Sequence, residues 1–436
     1  MKYCWIILLS FISIFTHAQT KKWTLEECVL HAFKNNISIQ QATLDTEISK
    51  ADDWTAIGNF LPDISGNANY NKNTGASINP VTNQFENESY NSFSGSINSG
   101  ITIFNGLRNW KILQRTKFNK LASQYSLDKM KDDIALMIAN NYLQILLHKE
   151  QSKVLKNQLS ITKDNLKRTQ DLIEAGSVPA GDIYELQATA ATQEQQIITA
   201  ENNEIITKIA LCQLLQITDY QSFDIVDSNF EIPLSKITNE TPENIIAKAK
   251  EHRNELKIAA QQLKIAETDV KIARSSYYPT LSGFMGYNAR WSDNIPFNFT
   301  KQLYTFDGTG IGLQLNVPVF NGFTTRTNVK KSKLALEKQK LAFKQTTYDL
   351  EKNIYQAYTD LQNAKKTFDA ATKTAEARKL AYNFAKERFD VGMMNSFDFS
   401  QATMTFENAN SDVLRAKYDY IFKIKILELY FGIKLY

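Results

Sequence analysis

The sequence predicts a mixed α+β membrane protein: a long α-helical coiled-coil barrel joined to a transmembrane β-barrel, with four strands contributed by each chain. Three observations carry this fold class. The 16 glycines and 8 prolines are few for 436 residues, and seventeen of the 24 fall in two windows, 58–106 and 279–322. Those windows alternate apolar and polar residues, whereas the stretches between them follow heptads. The second half of the chain also repeats the first, which points to internal duplication.

Composition removes other classes. Hydrophobic residues make up 43% and charged residues 22%, which excludes a disordered chain and a bundle of transmembrane helices. Fifty basic residues against 46 acidic ones leave +4, too even a balance for nucleic acid to be a partner. His31, His148 and His252 stand apart, with no companion at metal or triad spacing. No Gly-rich phosphate loop, HExxH or nucleophile elbow occurs. An enzyme is therefore not expected, nor a cofactor, a metal site or a catalytic residue. The run Lys330-Lys331-Ser332-Lys333 reads as a solvated helix face.

Residues 1–18 read as a signal peptide: Lys2, an apolar stretch from Trp5 to Phe15, then Thr16-His17-Ala18 before Gln19. The first repeat covers 19–215, beginning with a helical segment. Hairpin strands follow at about 63–104, where Ile64, Gly66, Ala68 and Tyr70 alternate with Asp63, Ser65, Asn67 and Asn69. Strands of about 10 residues suit a tilted membrane wall, and Phe60 and Phe104 mark its interface. The stretch 107–175 contains neither Gly nor Pro and reads as a helix of about 100 Å. Its expected seam is Ile138, Ile145, Ser152, Leu159, Leu166 and Ile173. A return helix over 182–215 closes the repeat.

The segment 216–242, with Pro233 and Pro242, reads as an equatorial linker. The second repeat, 243–436, restates the first with hairpin strands at about 280–320, a long helix over 323–391 and a return helix over 396–431. Here Leu281, Gly283, Met285 and Tyr287 share one face, as do Ile311, Leu313, Leu315, Val317 and Val319. Ile354, Leu361, Phe368, Ala375, Tyr382 and Phe389 recur every seven residues, with Ala357, Ala364, Ala371 and Ala385 in the companion positions. Such a seam specifies close, left-handed supercoiled packing. Cys28 and Cys212 are compatible with either a disulfide or two buried thiols.

Four strands cannot close a barrel, and open strand edges cannot face lipid. Several chains must pool strands; three would give about twelve, an even number within the known range.

The doubled plan carries specific marks: Leu61-Pro62 and Tyr278-Pro279 entering the strands, and Phe104-Asn105-Gly106 and Phe320-Asn321-Gly322 leaving them. The helix-tip turns are Ala175-Gly176-Ser177-Val178 and Val391-Gly392-Met393-Met394, and the opening is Trp23-Thr24-Leu25-Glu26-Glu27-Cys28. In these the chain resembles the TolC-type outer-membrane efflux protein family over nearly all of its mature length. The resemblance implies a homotrimer in outer-membrane lipid, with a twelve-stranded barrel and a long periplasmic helical tunnel. It implies an exit duct for a tripartite efflux pump or type I secretion system. Its partners would be a periplasmic adaptor (membrane fusion) protein and an inner-membrane pump of RND, ABC or MFS type. Adaptor docking would use the tip turns at Gly176, Ser177, Val178, Gly392 and Met393.

Two acids stand six residues beyond the tip glycines, Asp182 and Asp398. Each suits a helix N-terminus; facing inward in a trimer, each would form a charged ring. The resemblance favours Asp398 as the constriction. Gln401 stands where a second ring acid would be, and Phe389 and Met394 replace a tyrosine and an arginine that close the prototype's tip by polar links. Closure is therefore expected to be apolar, through Phe389, Met393 and Met394. A periplasmic coiled-coil scaffold or adaptor is the alternative; it explains the heptads but not the alternating windows.

Overall fold

The computed structural model describes residues 22–78, 82–227 and 231–434; the expected signal peptide lies outside the described residues. In chain order, strand β1 (Lys22–Trp23) precedes helices α1 (Leu25–Asn35) and α2 (Ile37–Gly58). Strands β2 (Asp63–Ile78) and β3 (Phe85–Asn105) follow, then helices α3 (Arg108–Glu174) and α4 (Asp182–Leu215). Next come β4 (Asp224–Ile225), a 3-10 turn at Lys236–Asn239, and helices α5 (Pro242–His252) and α6 (Asn254–Ser275). The last elements are β5 (Thr280–Ser292), α7 (Phe299–Thr305), β6 (Asp307–Asn316), α8 (Thr324–Asp390) and α9 (Ser396–Phe431). No helix among the described residues is long and apolar enough to cross a membrane.

The chain divides into two compact units. One contains the segments up to Gln40, Met130–Glu251 and from Lys352 onward; the other contains Gln41–Lys129 and His252–Glu351.

The second unit holds a four-stranded antiparallel sheet in the order β2-β3-β5-β6. Side chains alternate across a strand, so pairing sorts them into two faces. One face runs through the cross-strand rows Tyr70–Phe93–Trp291, Gly66–Ile97–Tyr287, Met285–Ile311, Ile101–Gly283–Leu313 and Leu281–Leu315. The other runs through Asn67–Ser96–Asn288–Gly308, Ser65–Asn98–Gly286–Gly310 and Gly100–Phe284–Gly312. Glycine at 312 makes room for the Phe284 ring, which a Cβ there would meet at 2.7 Å and push aside. β2 and β6 are the sheet's unpaired edges.

The second window departs from the simple hairpin that its sequence suggests. β6 stops at Asn316, so Val317, Pro318 and Val319 lie outside the sheet; Pro318 has no N–H to give a ladder. Between β5 and β6 sits α7, capped by Asn298, whose Oδ1 accepts from the Lys301 N–H at 2.8 Å. Gln302 anchors this helix. Its buried amide donates to the carbonyls of Ser292 (2.8 Å) and Phe297 (2.7 Å) and accepts from the Ser292 N–H (2.9 Å).

In the first unit α3, α4, α8 and α9 contribute the helical core. Ile354, Ala357, Leu361, Ala364, Tyr382 and Ala385 of α8 are buried, and Phe368 and Phe389 are half-buried. The α3 seam differs from expectation. Ile138, Ile145 and Ser152 are buried, but farther along Gln158, Thr162, Asn165 and Thr169 take the inside while Leu159 and Leu166 are half-buried. The inside of the seam is therefore polar along this stretch, with Gln158 beside Glu407 of α9.

The segment 216–242 is tied to the opening residues. β1 pairs in parallel with β4, Lys22 with Asp224 and Trp23 with Ile225. The Tyr142 hydroxyl donates to the carbonyls of Trp23 (3.4 Å) and Val226 (3.3 Å). Thr24 starts α1 with a capping box: its Oγ1 accepts from the Glu27 N–H, and the Glu27 carboxylate accepts from the Thr24 N–H. Burial pushes the Asp224 carboxyl up, but the Lys149 ammonium at 2.6 Å, with Lys208 beyond it, outweighs that and holds it below the ordinary range. Cys28 and Cys212 are both buried thiols; burial pushes the Cys212 thiol up to about 11.

Candidate functional site

The two helix tips share one backbone construction. Helix α3 ends with Gly176 at φ +69°, and α8 ends with Gly392 at φ +75°. In the first, the Gly176 N–H donates to Ile173 O and the Ser177 N–H to Leu172 O, both at 2.9 Å. In the second, the Gly392 N–H donates to Phe389 O (3.1 Å) and the Met393 N–H to Arg388 O (2.8 Å). Both are Schellman caps, which need a left-handed residue and so favour glycine. They leave Gly176, Ser177, Gly392 and Met393 exposed and Val178 half-buried.

The return helices start differently. Asn395 caps α9: its Oδ1 accepts from the Asp398 N–H at 2.8 Å, and its Nδ2 donates to Asp398 Oδ2 at 3.1 Å. Asp398 is therefore an exposed first-turn acid held in a reciprocal cap, suited to the helix dipole. Gln401 is exposed one turn on. Asp182 opens α4 after Gly181, which provides no side-chain cap. No hydrogen bond or ion pair joins Asp182 to Asp398 among the described residues.

Of the expected closing residues, two are engaged within the chain. Phe389 lies flat on Phe399, with centroids 4.4 Å apart and planes 6° from parallel. Phe389 and Met394 pack against a buried cluster of Leu186, Tyr382, Ala385 and Phe399. Met393 remains exposed. A polar link accompanies this packing, beside the apolar closure expected. Arg168 of α3 donates through one guanidinium nitrogen to Asp390 Oδ1 and through the other to the Asp390 carbonyl, each at 2.7 Å. It joins the ends of the two long helices, and its partners lie 222 positions apart, so no local pattern announces it.

Behind the tips the buried polar seam forms a network. Thr189 of α4 meets Ser400 of α9 through their hydroxyls, and the Gln193 amide donates to the Glu407 carboxylate. Glu407 is only 6% exposed, and Gln158 of α3 lies beside it. Burial pushes its carboxyl up to about 7, against the opposing pull of Gln193 and Gln158. Tyr382, stacked on Phe406 at 5.2 Å, borders the same space. An acid inside a heptad has the same local pattern as surface charge, so nothing in the sequence sets Glu407 apart.

The order of paired strands, long helices and tip turns matches a known fold. The sequence profile described as outer membrane efflux protein matches residues 30–215 and 245–429. The outer membrane protein TolC of Vibrio cholerae is 24% identical over 314 residues, 71% of this chain and 69% of that protein. Toxin and drug export protein A of Aggregatibacter actinomycetemcomitans is 22% identical over 423 residues, 91% of this chain and 83% of that one. Among solved structures, the Campylobacter jejuni CmeC outer membrane channel superposes with a TM-score of 0.82 at 20% identity, covering 94% of this chain and 85% of its own. The chain belongs to the outer membrane efflux protein family.

Proposed function

We propose that this protein is the outer-membrane exit duct of a tripartite efflux pump or type I secretion system, a passive channel that works as a homotrimer. The observation that carries the reading is the two-faced sheet with open edges at β2 and β6. A single chain leaves backbone donors and acceptors unpaired there, a state that lipid penalises, whereas three chains pair every edge. The apolar face is then the lipid side, and the Ser, Asn and Gly face lines water. The segments matched by the family support a division into repeats 19–215 and 243–436 joined by 216–242. The tip turns, with Gly176, Ser177, Gly392 and Met393 exposed and Val178 beside them, offer a docking edge for a periplasmic adaptor and, through it, an inner-membrane pump. Asp398 forms the acidic ring of the constriction in this reading, with Asp182, Gln401, Phe389, Met393 and Met394 around it. The names of relatives add weight: one is a toxin and drug export protein, and another is an alkaline protease secretion protein.

The test is assembly and conduction. Detergent extracts of the outer membrane should yield a species of three copies by native mass measurement, and that species should conduct ions in a planar bilayer. A freely soluble monomer that does not conduct sinks the proposal in favour of a periplasmic scaffold.

A further inference from the structure

The strand exits carry a charge pattern that the channel function does not use. From Arg108 to Leu127, α3 holds Arg108, Lys111, Arg115, Lys117 and Lys120 and no acid; the first is Asp128. From Thr324 to Leu336, α8 holds Arg326, Lys330, Lys331 and Lys333 and no acid before Glu337. Helix N-termini favour acids, yet neither first turn has one, so this placement opposes the dipole. Arg115 and Lys120 are neutralised within the chain, by Asp269 and Asp53, each at 3.3 Å. Arg108, Arg326 and Lys330 are exposed and Lys111 is half-buried, and none of the four makes an ion pair among the described residues. Arg274, exposed in the last turn of α6, joins them.

Their depth is fixed by their neighbours. Arg108 begins α3 three positions after the end of β3, and Arg326 lies ten positions after the end of β6. The same level carries aromatic rings: Trp110 against Phe60 with centroids 5.2 Å apart, Phe320 against Phe323 at 5.6 Å, and exposed Tyr277 and Tyr278. Rings of this kind mark a lipid interface, and the headgroup layer beyond it is roughly 5–8 Å deep. A helix rising about 1.5 Å per residue keeps Arg108 and Lys111 within that layer. At the opposite strand ends, basic Arg290 and Lys301 are interleaved with Glu86, Asp293 and Asp307, so the basic excess belongs to one end only.

We propose that Arg108, Lys111, Arg274, Arg326 and Lys330 form a collar that binds anionic phospholipid headgroups of the membrane leaflet nearest the helices. The phosphate is the ligand group, and the acyl chains continue along the apolar sheet face. The proposal rests on reading the sheet as a barrel wall.

The test uses the assembled full-length protein, incubated with equimolar phosphatidylglycerol and phosphatidylcholine and examined by native mass spectrometry. Phosphatidylglycerol adducts should exceed phosphatidylcholine adducts at least fivefold. Replacing Arg108, Lys111, Arg326 and Lys330 together by Gln should bring the two to parity, while Arg108→Lys with Arg326→Lys keeps the preference. The variant's oligomeric mass serves as the control for folding. Equal retention of both lipids by the unmodified protein overturns the collar alone, and retention of neither overturns the barrel reading with it. Displacement of phosphatidylglycerol by inorganic phosphate would assign a free-anion site instead, and would overturn the lipid assignment. So would a Gln variant that keeps the lipid preference and changes only the channel's ion selectivity.

Discussion

Gln193 of α4 donates its side-chain amide to Glu407 of α9, and both side chains are buried. This places an ionisable group in the interior of a bundle that stands in the periplasm, a compartment that follows the pH outside the cell. An ordinary glutamate titrates near 4.5, whereas Glu407 is pushed up to about 7 by burial.

The folded chain therefore holds a proton on Glu407 at pH values where the unfolded chain has released it. Its stabilising effect is complete below about 4.5 and is lost as pH rises toward about 7. The full change amounts to roughly 3 kcal/mol per chain. Denaturation midpoints of the assembled protein should fall between pH 5 and pH 8, and Glu407→Gln should flatten that slope. An equally steep slope in the variant would place the titration elsewhere.

The Arg168–Asp390 link is half-exposed, so its contribution to stability is at most about 1 kcal/mol. Its effect should be geometric. Arg168→Ala frees the end of α8 from α3 and should raise single-channel conductance at least twofold. Asp390→Asn keeps the carbonyl as an acceptor and should have a smaller effect. The exchange Arg168→Asp with Asp390→Arg should recover part of the closed behaviour. Identical conductance in all four proteins would show that the link does not restrain the tip.

Gly392 sits at φ +75° with open space around the position where a Cβ would be, so conformation alone limits substitution there. Gly392→Ala should cost about 1 kcal/mol and Gly392→Asn distinctly less. Chemical denaturation of the pair should preserve that order. A larger loss with Asn would mean that contact, and not the left-handed backbone, governs the turn.

Asp398 serves as a cap partner, and its proposed ring role can be separated from that. Asp398→Asn preserves a side-chain oxygen for the cap but removes the charge, so thermal stability should change by less than about 1 kcal/mol. Cation selectivity in a planar bilayer should drop. Phe389→Ala with Met394→Ala should loosen the tip and raise conductance without altering selectivity. If Asp398→Asn leaves selectivity intact while Asp182→Asn removes it, the ring belongs to the other return helix.

Much of this fold is legible because its signals are local. A glycine that must be left-handed, as at 176 and 392, ends a helix wherever it falls. Alternation such as Ile64-Ser65-Gly66-Asn67 fixes two faces without knowledge of the partner strand. The unread parts depend on distant pairing. Thr162, Asn165 and Thr169 look like surface residues in the sequence, so Leu159 and Leu166 were expected to fill a seam whose inside these polar residues occupy. Helix α7 hides in a short, aromatic-rich connection beside Pro296, and it is anchored by Gln302 reaching back to Ser292. The Arg168–Asp390 bridge is invisible for the same reason: nothing near either residue requires the other.

The pairing of Lys22 with Asp224 and of Trp23 with Ile225 also sets an order of events. β1 comes early in the chain, and its partner strand follows about two hundred residues later. During that interval Trp23 has neither the parallel strand nor the ring of Phe223, whose centroid finally lies 5.9 Å away. Closing so long a loop is slow and entropically costly. The opening segment can therefore lock only once the chain through Ile225, and with it the return helix α4, is available to pair.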